Sequence, residues 1–365
     1  MSSIWGRNIR ISVFGESHGA GIGVVLDGFP AGLVPDMERI AVEMGRRRPG
    51  TGAHSTTRSE ADQVEILSGV HKGRTTGAPL CGLIRNNDTK SGDYAELSKL
   101  PRPGHADYTG QVRYHGFNDP RGGGHFSGRL TAPIVFAGEI CRQFLETRGI
   151  DVGSHIQRIA DVFDCPFDPC HVTEDQLSLL RTMQVPVNDR SCAQEMLDAV
   201  EAARSSLNSV GGIVETAVTG LMPGIGSPMF GSIESRLSSM LFSIPAIKGV
   251  EFGEGFGFAG MTGIEANDPF FMENGHVRTR TNHNGGINGG ISNGMPVVFR
   301  VAVKPTASIF TEQDTVDLEA GTDAKLSIKG RHDPCIVIRA VPVIDAATAI
   351  VIADLLLDPN PEPEE

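Results

Sequence analysis

A glycine-rich run in the C-terminal third constrains this chain more than any other stretch. Residues 282–294 read Asn-His-Asn-Gly-Gly-Ile-Asn-Gly-Gly-Ile-Ser-Asn-Gly, with Gly-Gly-Ile repeated at a spacing of four. Glycine permits positive φ and lets backbone N–H groups approach a ligand, so the run predicts a loop that can hold a phosphate. Residues 297–303 predict a strand, and residues 304–308 then supply a cation and two hydroxyls. An ordinary surface loop is the alternative, because glycine patterns are weak evidence without context.

The bulk composition is that of a globular protein. The 365 residues are 39% hydrophobic and 21% charged, and no apolar stretch approaches the roughly 20 residues that span a bilayer. Residues 1–10 lack the apolar core of a signal peptide. We therefore expect a cytoplasmic protein with no membrane partner. A single domain over residues 1–357 is expected, followed by a disordered, acidic and proline-rich tail at 358–365.

The charge distribution favours a small anionic ligand. The formal net charge of −12 disfavours binding to nucleic acid. Many arginines nevertheless lie within the first 130 residues, amid glycines. This local density in an acidic protein suits a small anion, although some of these arginines are expected to be solvated or paired with Glu60, Asp62 and Glu65.

The six cysteines predict reduced thiols rather than a disulfide framework or a metal site. Cys165, Cys170 and His171 form a C-x4-C-H spacing. That spacing matches no common zinc pattern, so we expect no metal.

The order of predicted elements favours a layered α+β fold over a doubly wound parallel sheet, because helices and strands do not alternate strictly. Residues 24–32 and 218–224 share a weak strand–turn–helix pattern, which suggests an internal pseudo-twofold. Asp36 is expected to cap a helix through Met44. Asp345 is expected to cap the last helix, to residue 357. The predicted strands are 8–13, 23–26, 66–70, 80–84, 213–221, 250–256, 297–303, 325–329 and 336–341, and further helices are predicted at 130–148 and 191–207.

Three loops in the first 130 residues carry candidate chemistry. His18 lies in a glycine-rich loop, flanked by a hydroxyl and a carboxylate rather than by the apolar neighbours of a core histidine. Residues 102–107 form a Pro-Gly turn that carries Arg, His and Asp. Residues 121–129 are glycine-rich and lead into a helix, whose first N–H groups favour an anion.

Seven motifs together resemble the chorismate synthase family. Each motif is weak by itself, but all seven occur in the family's order and spacing, without a large insertion, from residue 5 to the C-terminal helix. The motifs are Gly-Glu-Ser-His-Gly (15–19), Arg-Arg-Arg-Pro-Gly-Thr-Gly (46–52), Arg-Pro-Gly-His-Ala-Asp (102–107), Arg-Gly-Gly-Gly (121–124), Gly-Gly-Ile-Asn-Gly-Gly-Ile-Ser (285–292), Lys-Pro-Thr (304–306) and Gly-Arg-His-Asp-Pro-Cys (330–335).

The resemblance implies a specific reaction and fold. The family converts 5-enolpyruvylshikimate 3-phosphate into chorismate and phosphate, and this 1,4-elimination requires reduced FMN (FMNH2) although it has no net redox change. The implied fold is a layered β-α-β sandwich of antiparallel sheets with helices, and the implied assembly is a homotetramer. Some members reduce their own flavin with NADPH, and this sequence leaves that choice open.

The resemblance also implies functional positions for individual residues. His18 and His105 match the family's active-site histidines, and Asp333 matches the carboxylate beside the flavin. Our hypothesis is that His18 holds the protonation state of the reduced flavin, His105 protonates or hydrogen-bonds the leaving phosphate, and Asp333 assists proton movement beside the flavin. The implied substrate-binding residues are Ser17, Arg48, His54, Arg102, Arg129 and Arg331. The implied FMN-binding residues are His125, Phe126, Ser127, Pro245, Ala246, Gly289, Lys304, Pro305, Thr306, Ala307, Ser308 and Arg331.

Two departures from the family pattern leave alternatives open. His54 stands where many relatives carry arginine, and residues 124–129 read Gly-His-Phe-Ser-Gly-Arg where Gly-Arg-Ser-Ser-Ala-Arg is frequent. One alternative is an NAD(P)H-dependent flavin oxidoreductase, although no dinucleotide-binding fingerprint is found. The other is a non-catalytic protein that binds flavin or phosphate.

Overall fold

The computed structural model describes residues 3–48, 62–86, 99–328 and 333–358. The strands, in chain order, are β1 (Ile4–Gly6), β2 (Arg10–Gly15), β3 (Gly21–Asp27), β4 (Val64–Ser68), β5 (Val70–His71), β6 (Arg74–Thr75), β7 (Leu80–Arg85), β8 (Asp151–Ile159), β9 (Val162–Phe163), β10 (Gly212–Thr219), β11 (Ile247–Phe252), β12 (Phe270–Glu273), β13 (His276–Thr279), β14 (Ile287–Asn288), β15 (Ile291–Ser292), β16 (Val297–Val303), β17 (Gln313–Asp317) and β18 (Thr322–Leu326). The helices are α1 (Met37–Arg47), α2 (Asp107–Arg113), α3 (Thr131–Glu146), α4 (Glu174–Thr182), α5 (Cys192–Ser205), α6 (Ile233–Leu241), α7 (Gly263–Ala266) and α8 (Val337–Leu356).

Two antiparallel five-stranded sheets form the outer layers. Their strand orders are β1-β2-β3-β7-β4 and β11-β16-β10-β8-β9. In β3, Ile22, Val24 and Leu26 are fully buried, so alternate side chains point toward the helices, as the pleat of a strand requires. The same alternation buries Val297, Phe299, Val301 and Val303 in β16, and this places the predicted strand at 297–303 in the second sheet.

The helices α3 and α8 pack against each other between the sheets. The α3 helix also contacts β3 and β7 of the first sheet, whereas α8 contacts β8 and β10 of the second. Their axes approach closely because Gly138 of α3 faces Ala346 of α8, where a Cβ added to the glycine would lie 2.3 Å from that of the alanine. The result is the layered α+β sandwich that the sequence predicted.

The two halves of the fold repeat the same order of elements. The first half runs β2, β3, α1, β4, β7, α3, and the second runs β8, β10, α6, β11, β16, α8. Equivalent glycines end the second strand of each half. Gly28 and Gly220 have φ of +76° and +74°. A Cβ added to Gly28 would lie 1.9 Å from the carbonyl oxygen of Asn8, and one added to Gly220 would lie 1.9 Å from that of Gly149. Asn8 and Gly149 each lie two residues before the first strand of their half, β2 or β8. This agreement supports the pseudo-twofold suggested by the weak sequence repeat.

The predicted strand at 336–341 is wrong. Residues 337–356 form α8, and its proline, Pro342, lies inside the helix. The helix is buried almost all round, so its sequence is apolar without a 3.6-residue period and resembles a buried strand. Asp345 consequently lies in mid-helix rather than at a cap, and its carboxylate accepts a 2.5 Å hydrogen bond from the Ser154 hydroxyl. By contrast, Asp36 caps α1 as predicted and accepts from two backbone N–H groups.

The hairpin β12–β13, which the sequence did not predict, lies within residues 253–281.

The six cysteines are all free thiols. Within the part of the chain that the structure describes, no helix is both long and apolar enough to cross a membrane.

Candidate functional site

A glycine triplet brings the two predicted catalytic histidines together. Gly122 and Gly123 have φ of +60° and +83°, a conformation that glycine adopts without steric cost. A Cβ added to Gly122 would lie 2.1 Å from Nδ1 of His18, and one added to Gly123 would lie 3.3 Å from Cε1 of His105. The backbone N–H of Ser17 donates to the carbonyl oxygen of Gly124 at 3.1 Å. His18 and His105 therefore lie against neighbouring residues of one loop.

Arg102, His105 and Asp107 form a single hydrogen-bonded group. Nε and Nη2 of Arg102 donate to the two carboxylate oxygens of Asp107 at 2.7 and 2.8 Å. Nδ1 of His105 lies 2.6 Å from Oδ1 of the same carboxylate. Burial would raise the pKa of Asp107, but the hydrogen bonds from Arg102 and His105, with their charges, outweigh burial and hold this pKa far below its usual value. The carboxylate is thus ionised throughout the physiological range.

The predicted flavin-binding segment 304–308 packs against that turn. Nη1 of Arg102 donates to the Ser308 hydroxyl at 3.1 Å, and the Lys304 ammonium donates to the carbonyl oxygen of Gly104 at 2.5 Å. The backbone N–H of Lys304 also donates to the carbonyl oxygen of Ala246 at 3.0 Å. Ala246, which follows Pro245, has φ of +76°. Pro305 and Ala307 lie within the same segment, so three separate predicted regions meet here.

Asp333 is connected to this segment and to the end of α1. The Thr306 hydroxyl donates to the backbone carbonyl of Asp333 at 2.9 Å. The buried carboxylate of Asp333 pairs with the guanidinium of Arg339, in the first turn of α8. Nε of Arg339 donates in turn to the carbonyl oxygen of Arg47 at 2.9 Å. One arginine therefore joins the predicted catalytic carboxylate to the predicted arginine-rich motif.

A fully buried carboxylate links the end of α1 to the loop of His18. The side chain of Asp62 pairs with Arg47 at 3.2 Å and with Arg129. Nε of Arg129 donates to Oδ1 of Asn86 at 3.3 Å. The amide nitrogen of Asn86 donates at 3.0 Å to the carbonyl oxygens of Glu16 and Gly19, on either side of His18. The arrangement fixes both the His18 loop and the Arg129 guanidinium.

Followed from one residue to the next, these contacts form a closed loop that returns to His18. We call the residues that make them the contact ring. Four of the seven sequence motifs contribute side chains or glycines to it, and two more contribute through Arg47 and Asp333. The contact ring consists of Glu16–Gly19, Asn86, Arg102–Asp107, Gly122–Gly124, Arg129, Lys304–Ser308, Asp333, Arg339, Arg47 and Asp62.

Several predicted residues lie beside the contact ring rather than in it. His125 hydrogen-bonds the Ser3 hydroxyl at 2.9 Å and the carbonyl oxygen of Gly15 at 2.8 Å. The ring of Phe126 packs on Tyr114 and Gly110. The Ser127 hydroxyl accepts from the backbone N–H of Arg129 at 3.3 Å.

Two other predicted residues are exposed. Arg48 follows the last residue of α1 and points to solvent, whereas Arg47 is buried. Gly289 lies in the turn between β14 and β15, and an added Cβ there would meet nothing within 4 Å. The described contacts do not connect Gly289 to the contact ring. His54 and Arg331 lie outside the described residues, as does the tail from residue 359.

Asp62 was expected as a carboxylate partner of the arginines, and its pairs with Arg47 and Arg129 confirm this. Three residues of the contact ring were missed by sequence reasoning: Arg47, Asn86 and Arg339. A signal existed for Arg47. Ile40, Glu43, Met44 and Arg47 are buried on α1, and their spacing is that of one helix face. The other two, Asn86 and Arg339, have no local signal, because their partners are far away in sequence.

The structure also contains a buried histidine far from any motif. His155 lies between Asp164, at 2.7 Å from Nδ1, and Glu215, at 2.8 Å from Nε2, and its ring contacts Phe167. Among the described residues, no group of three or more His, Cys, Asp and Glu side chains is arranged to hold a metal ion.

Comparison with known proteins identifies the family. The chorismate synthase family model matches residues 9–357. The chain belongs to the chorismate synthase family. It is 47% identical over 352 residues to the chorismate synthase of Thermococcus gammatolerans, covering 96% of this chain and 97% of that protein. It is 45% identical over 357 residues to that of Dehalococcoides mccartyi, covering 98% and 97%. A crystal structure of a chorismate synthase matches with a TM-score of 0.76 and 30% identity, covering 97% of this chain and 93% of the other.

Proposed function

We propose that this protein is a chorismate synthase that converts 5-enolpyruvylshikimate 3-phosphate into chorismate and inorganic phosphate. As such it is a carbon–oxygen lyase of the shikimate pathway of aromatic amino-acid biosynthesis. The observation that carries the proposal is the contact ring, which gathers His18, His105 and Asp333 together with buried arginines. Membership of the family supports the same reaction.

The residues around segment 304–308 fit a phosphorylated flavin. Lys304, Thr306, Ser308 and Arg102 offer an ammonium, two hydroxyls and a guanidinium within one cluster, and such donors suit a phosphate. Reduced FMN, when bound, would supply the transient electron donation that helps the phosphate to leave, which no side chain can offer. Lys304–Ser308 and Ala246 would hold it.

The arginines of the contact ring bind the phosphate and the two carboxylates of the substrate. A guanidinium presents parallel N–H donors that match carboxylate and phosphate oxygens, and it stays charged when buried. Arg102 and Arg129 are buried and already oriented by Asp107 and Asp62. Preorganised donors of this kind stabilise the charge that develops on a leaving phosphate, and they cost no reorganisation during the reaction.

Two imidazoles and one carboxylate handle protons. His105 donates a hydrogen bond or a proton to the leaving phosphate oxygen. His18, buried against Gly122, holds a proton at its ring nitrogen. Asp333, oriented by Arg339, accepts a proton at its carboxylate. A positioned acid or base typically contributes about 10²–10⁴-fold to a rate.

The test is an anaerobic assay with dithionite-reduced FMN and 5-enolpyruvylshikimate 3-phosphate, followed by chorismate absorbance and phosphate release. The wild-type protein should form both products in equal amounts. Asp333→Asn should lower the single-turnover rate by about 10²–10⁴-fold. Asp161→Asn is the matched control, since the Asp161 side chain is 99% exposed and should leave the rate unchanged. Absence of chorismate from the wild-type reaction would refute the proposal.

The same assay tests the remaining expectations. Replacing dithionite by NADPH asks whether this protein reduces its own flavin. NADPH consumption without the substrate would instead support a flavin oxidoreductase. A homotetramer in the cytoplasm is the assembly and location that we propose. Exposed apolar side chains such as Phe256 (87% exposed) and Ile264 (88% exposed) support subunit contacts, and sedimentation measures the subunit number.

A further inference from the structure

We propose that Asp107 is a positioning residue that fixes His105 as the Nδ1–H tautomer and sets the Arg102 guanidinium beside it, so that Nε2 of His105 is the reactive nitrogen. This inference rests on the proposed function for its catalytic meaning. Its structural content, the tautomer and orientation of His105, stands independently of that function.

The tautomer follows from the chemistry of Asp107. An ionised carboxylate only accepts hydrogen bonds. Oδ1 of Asp107 lies 2.6 Å from Nδ1 of His105, so Nδ1 carries the hydrogen. Nη2 of Arg102 lies 3.0 Å from Nδ1 and 3.3 Å from Nε2 of His105, so it lies beside the ring without distinguishing the two nitrogens. The Asp107 carboxylate therefore selects the tautomer and leaves Nε2 as the nitrogen that takes up and releases a proton.

The orientation of the ring follows from the glycine triplet. A Cβ added to Gly123 would lie 3.3 Å from Cε1 and 3.5 Å from Nε2 of His105. The Cε1–Nε2 edge of the ring accordingly faces the loop that also contacts His18 through Gly122. Because Nδ1 is held by Asp107, Nε2 is the nitrogen that is directed toward the His18 side of the contact ring.

The Asp107 carboxylate is itself held rigidly. Its Oδ2 accepts from both the backbone N–H of Arg102 at 3.1 Å and Nε of Arg102 at 2.7 Å. Its Oδ1 accepts from Nη2 of Arg102 at 2.8 Å as well as from His105. One carboxylate thus orients a substrate-binding arginine and a proton-transfer imidazole together, and it needs no contact with the substrate to affect the rate.

If Asp107 acts by positioning His105, substitutions of Asp107 should lower kcat. A carboxylate that holds an imidazole in the correct tautomer can be worth about 10⁴-fold in kcat in other histidine-based sites. Asp107→Asn replaces one acceptor oxygen by an NH2 donor, which faces N–H groups of Arg102 in either orientation of the amide and Nδ1–H of His105 in one of them. We expect kcat to fall by about 10²–10⁴-fold. Asp107→Glu keeps the charge and should restore part of that loss.

The tautomer is tested without any turnover. Protein labelled with ¹⁵N-histidine is studied by magic-angle-spinning NMR over a pH series, the tautomer is read from the spectra of the neutral imidazole, and the His105 signals are assigned by their loss in His105→Gln. The wild-type protein and the control Asp161→Asn should show a protonated Nδ1 and an unprotonated Nε2. Asp107→Asn should show a mixture or the opposite tautomer. An unchanged His105 tautomer in Asp107→Asn would overturn the proposal.

A double-mutant cycle on the single-turnover rate tests the catalytic meaning. If Asp107 acts through His105, Asp107→Asn should have little further effect on kcat in a His105→Gln background. Any residual effect in that background should appear in KM, through Arg102. Full additivity of the two losses in kcat would overturn the positioning role. A wild-type protein that makes no chorismate but shows the expected tautomer would refute the proposed function and leave the placement of His105 intact.

Discussion

The replacement of Gly122 by alanine probes the site more sharply than removal of any side chain. A Cβ at this position would lie 2.1 Å from Nδ1 and 2.2 Å from Cε1 of His18, and 2.9 Å from the Ser17 hydroxyl. Each distance is well inside van der Waals contact. The substitution adds one methyl group, removes no functional group and acts directly on the predicted catalytic imidazole.

The expected magnitude follows from these distances. An ordinary contact needs at least 3.4 Å, so the His18 ring must retreat by roughly 1 Å, and a misplacement of that size can cost about 10²-fold in rate. This corresponds to about 2.7 kcal/mol of transition-state stabilisation. The positive φ of Gly122 adds a separate cost of about 1–2 kcal/mol to folding stability when the residue is not glycine.

Two matched glycines separate the effects. Gly116 has φ of +79°, and a Cβ there would meet nothing within 4 Å, so Gly116→Ala should lose stability but keep the wild-type rate. At Gly123 the added Cβ would approach His105 only to 3.3 Å, so Gly123→Ala should have an intermediate rate. Chorismate formation with pre-reduced FMN gives the rates, and urea unfolding gives the stabilities. The reasoning fails if Gly122→Ala turns over within about twofold of Gly116→Ala.

Two further predictions concern the fold. Burial would lower the pKa of His155, but hydrogen bonds to Asp164 and Glu215 raise it above its usual value. The hydrogen bonds of protonated His155 to Asp164 and Glu215 should therefore stabilise the protein fully below about pH 6.5. This stabilisation should be lost as the pH rises through the folded-state pKa of His155. Urea unfolding from pH 6 to 9 should show this loss in the wild type and not in His155→Gln; a pH-independent difference would contradict it. Gly28→Ala and Gly220→Ala should each destabilise the protein by about 2–5 kcal/mol, from backbone strain and overpacking. Thermal unfolding measures both losses of stability, and clearly unequal losses would argue that the two halves of the fold are not equivalent.

Local physical rules predicted much of the fold. The cap at Asp36 follows from side-chain chemistry, and the strand at 297–303 follows from length and apolar content, so both were confirmed. The last helix was predicted with nearly its observed end, but its first two turns, from Val337 to the expected cap at Asp345, were missed because burial on all sides removes the periodicity that marks a surface helix. The interior Pro342 added a further signal against a helix, since proline in mid-helix removes a backbone hydrogen bond.

The sequence motifs of the site could be predicted, but the side-chain contacts between distant segments could not. Glycine loops, arginines and histidines marked the segments that meet, and Asp62 was expected as an arginine partner, but Asn86 and Arg339 have roles that exist only through partners distant in the chain. Asn86 illustrates the limit. It directly follows an ordinary strand, and its amide becomes important only because the His18 loop and Arg129 fold on either side of it.

The location of the contact ring explains why both halves of the fold are needed. In each half, a long connection leads from the fourth strand to the last helix: from β7 to α3 in the first, and from β16 to α8 in the second. The first connection carries Arg102 and His105, and the second carries Ser308 and Asp333.

These two equivalent connections pack directly on each other. The contacts between Arg102 and Ser308, Lys304 and Gly104, and Thr315 and the carbonyl oxygen of Pro101 all cross from one to the other. Neither half by itself can close the ring, because each supplies only part of its residues. The pseudo-twofold sandwich thus holds the two connections against each other, and Arg47 of α1 and Arg339 of α8 complete the ring.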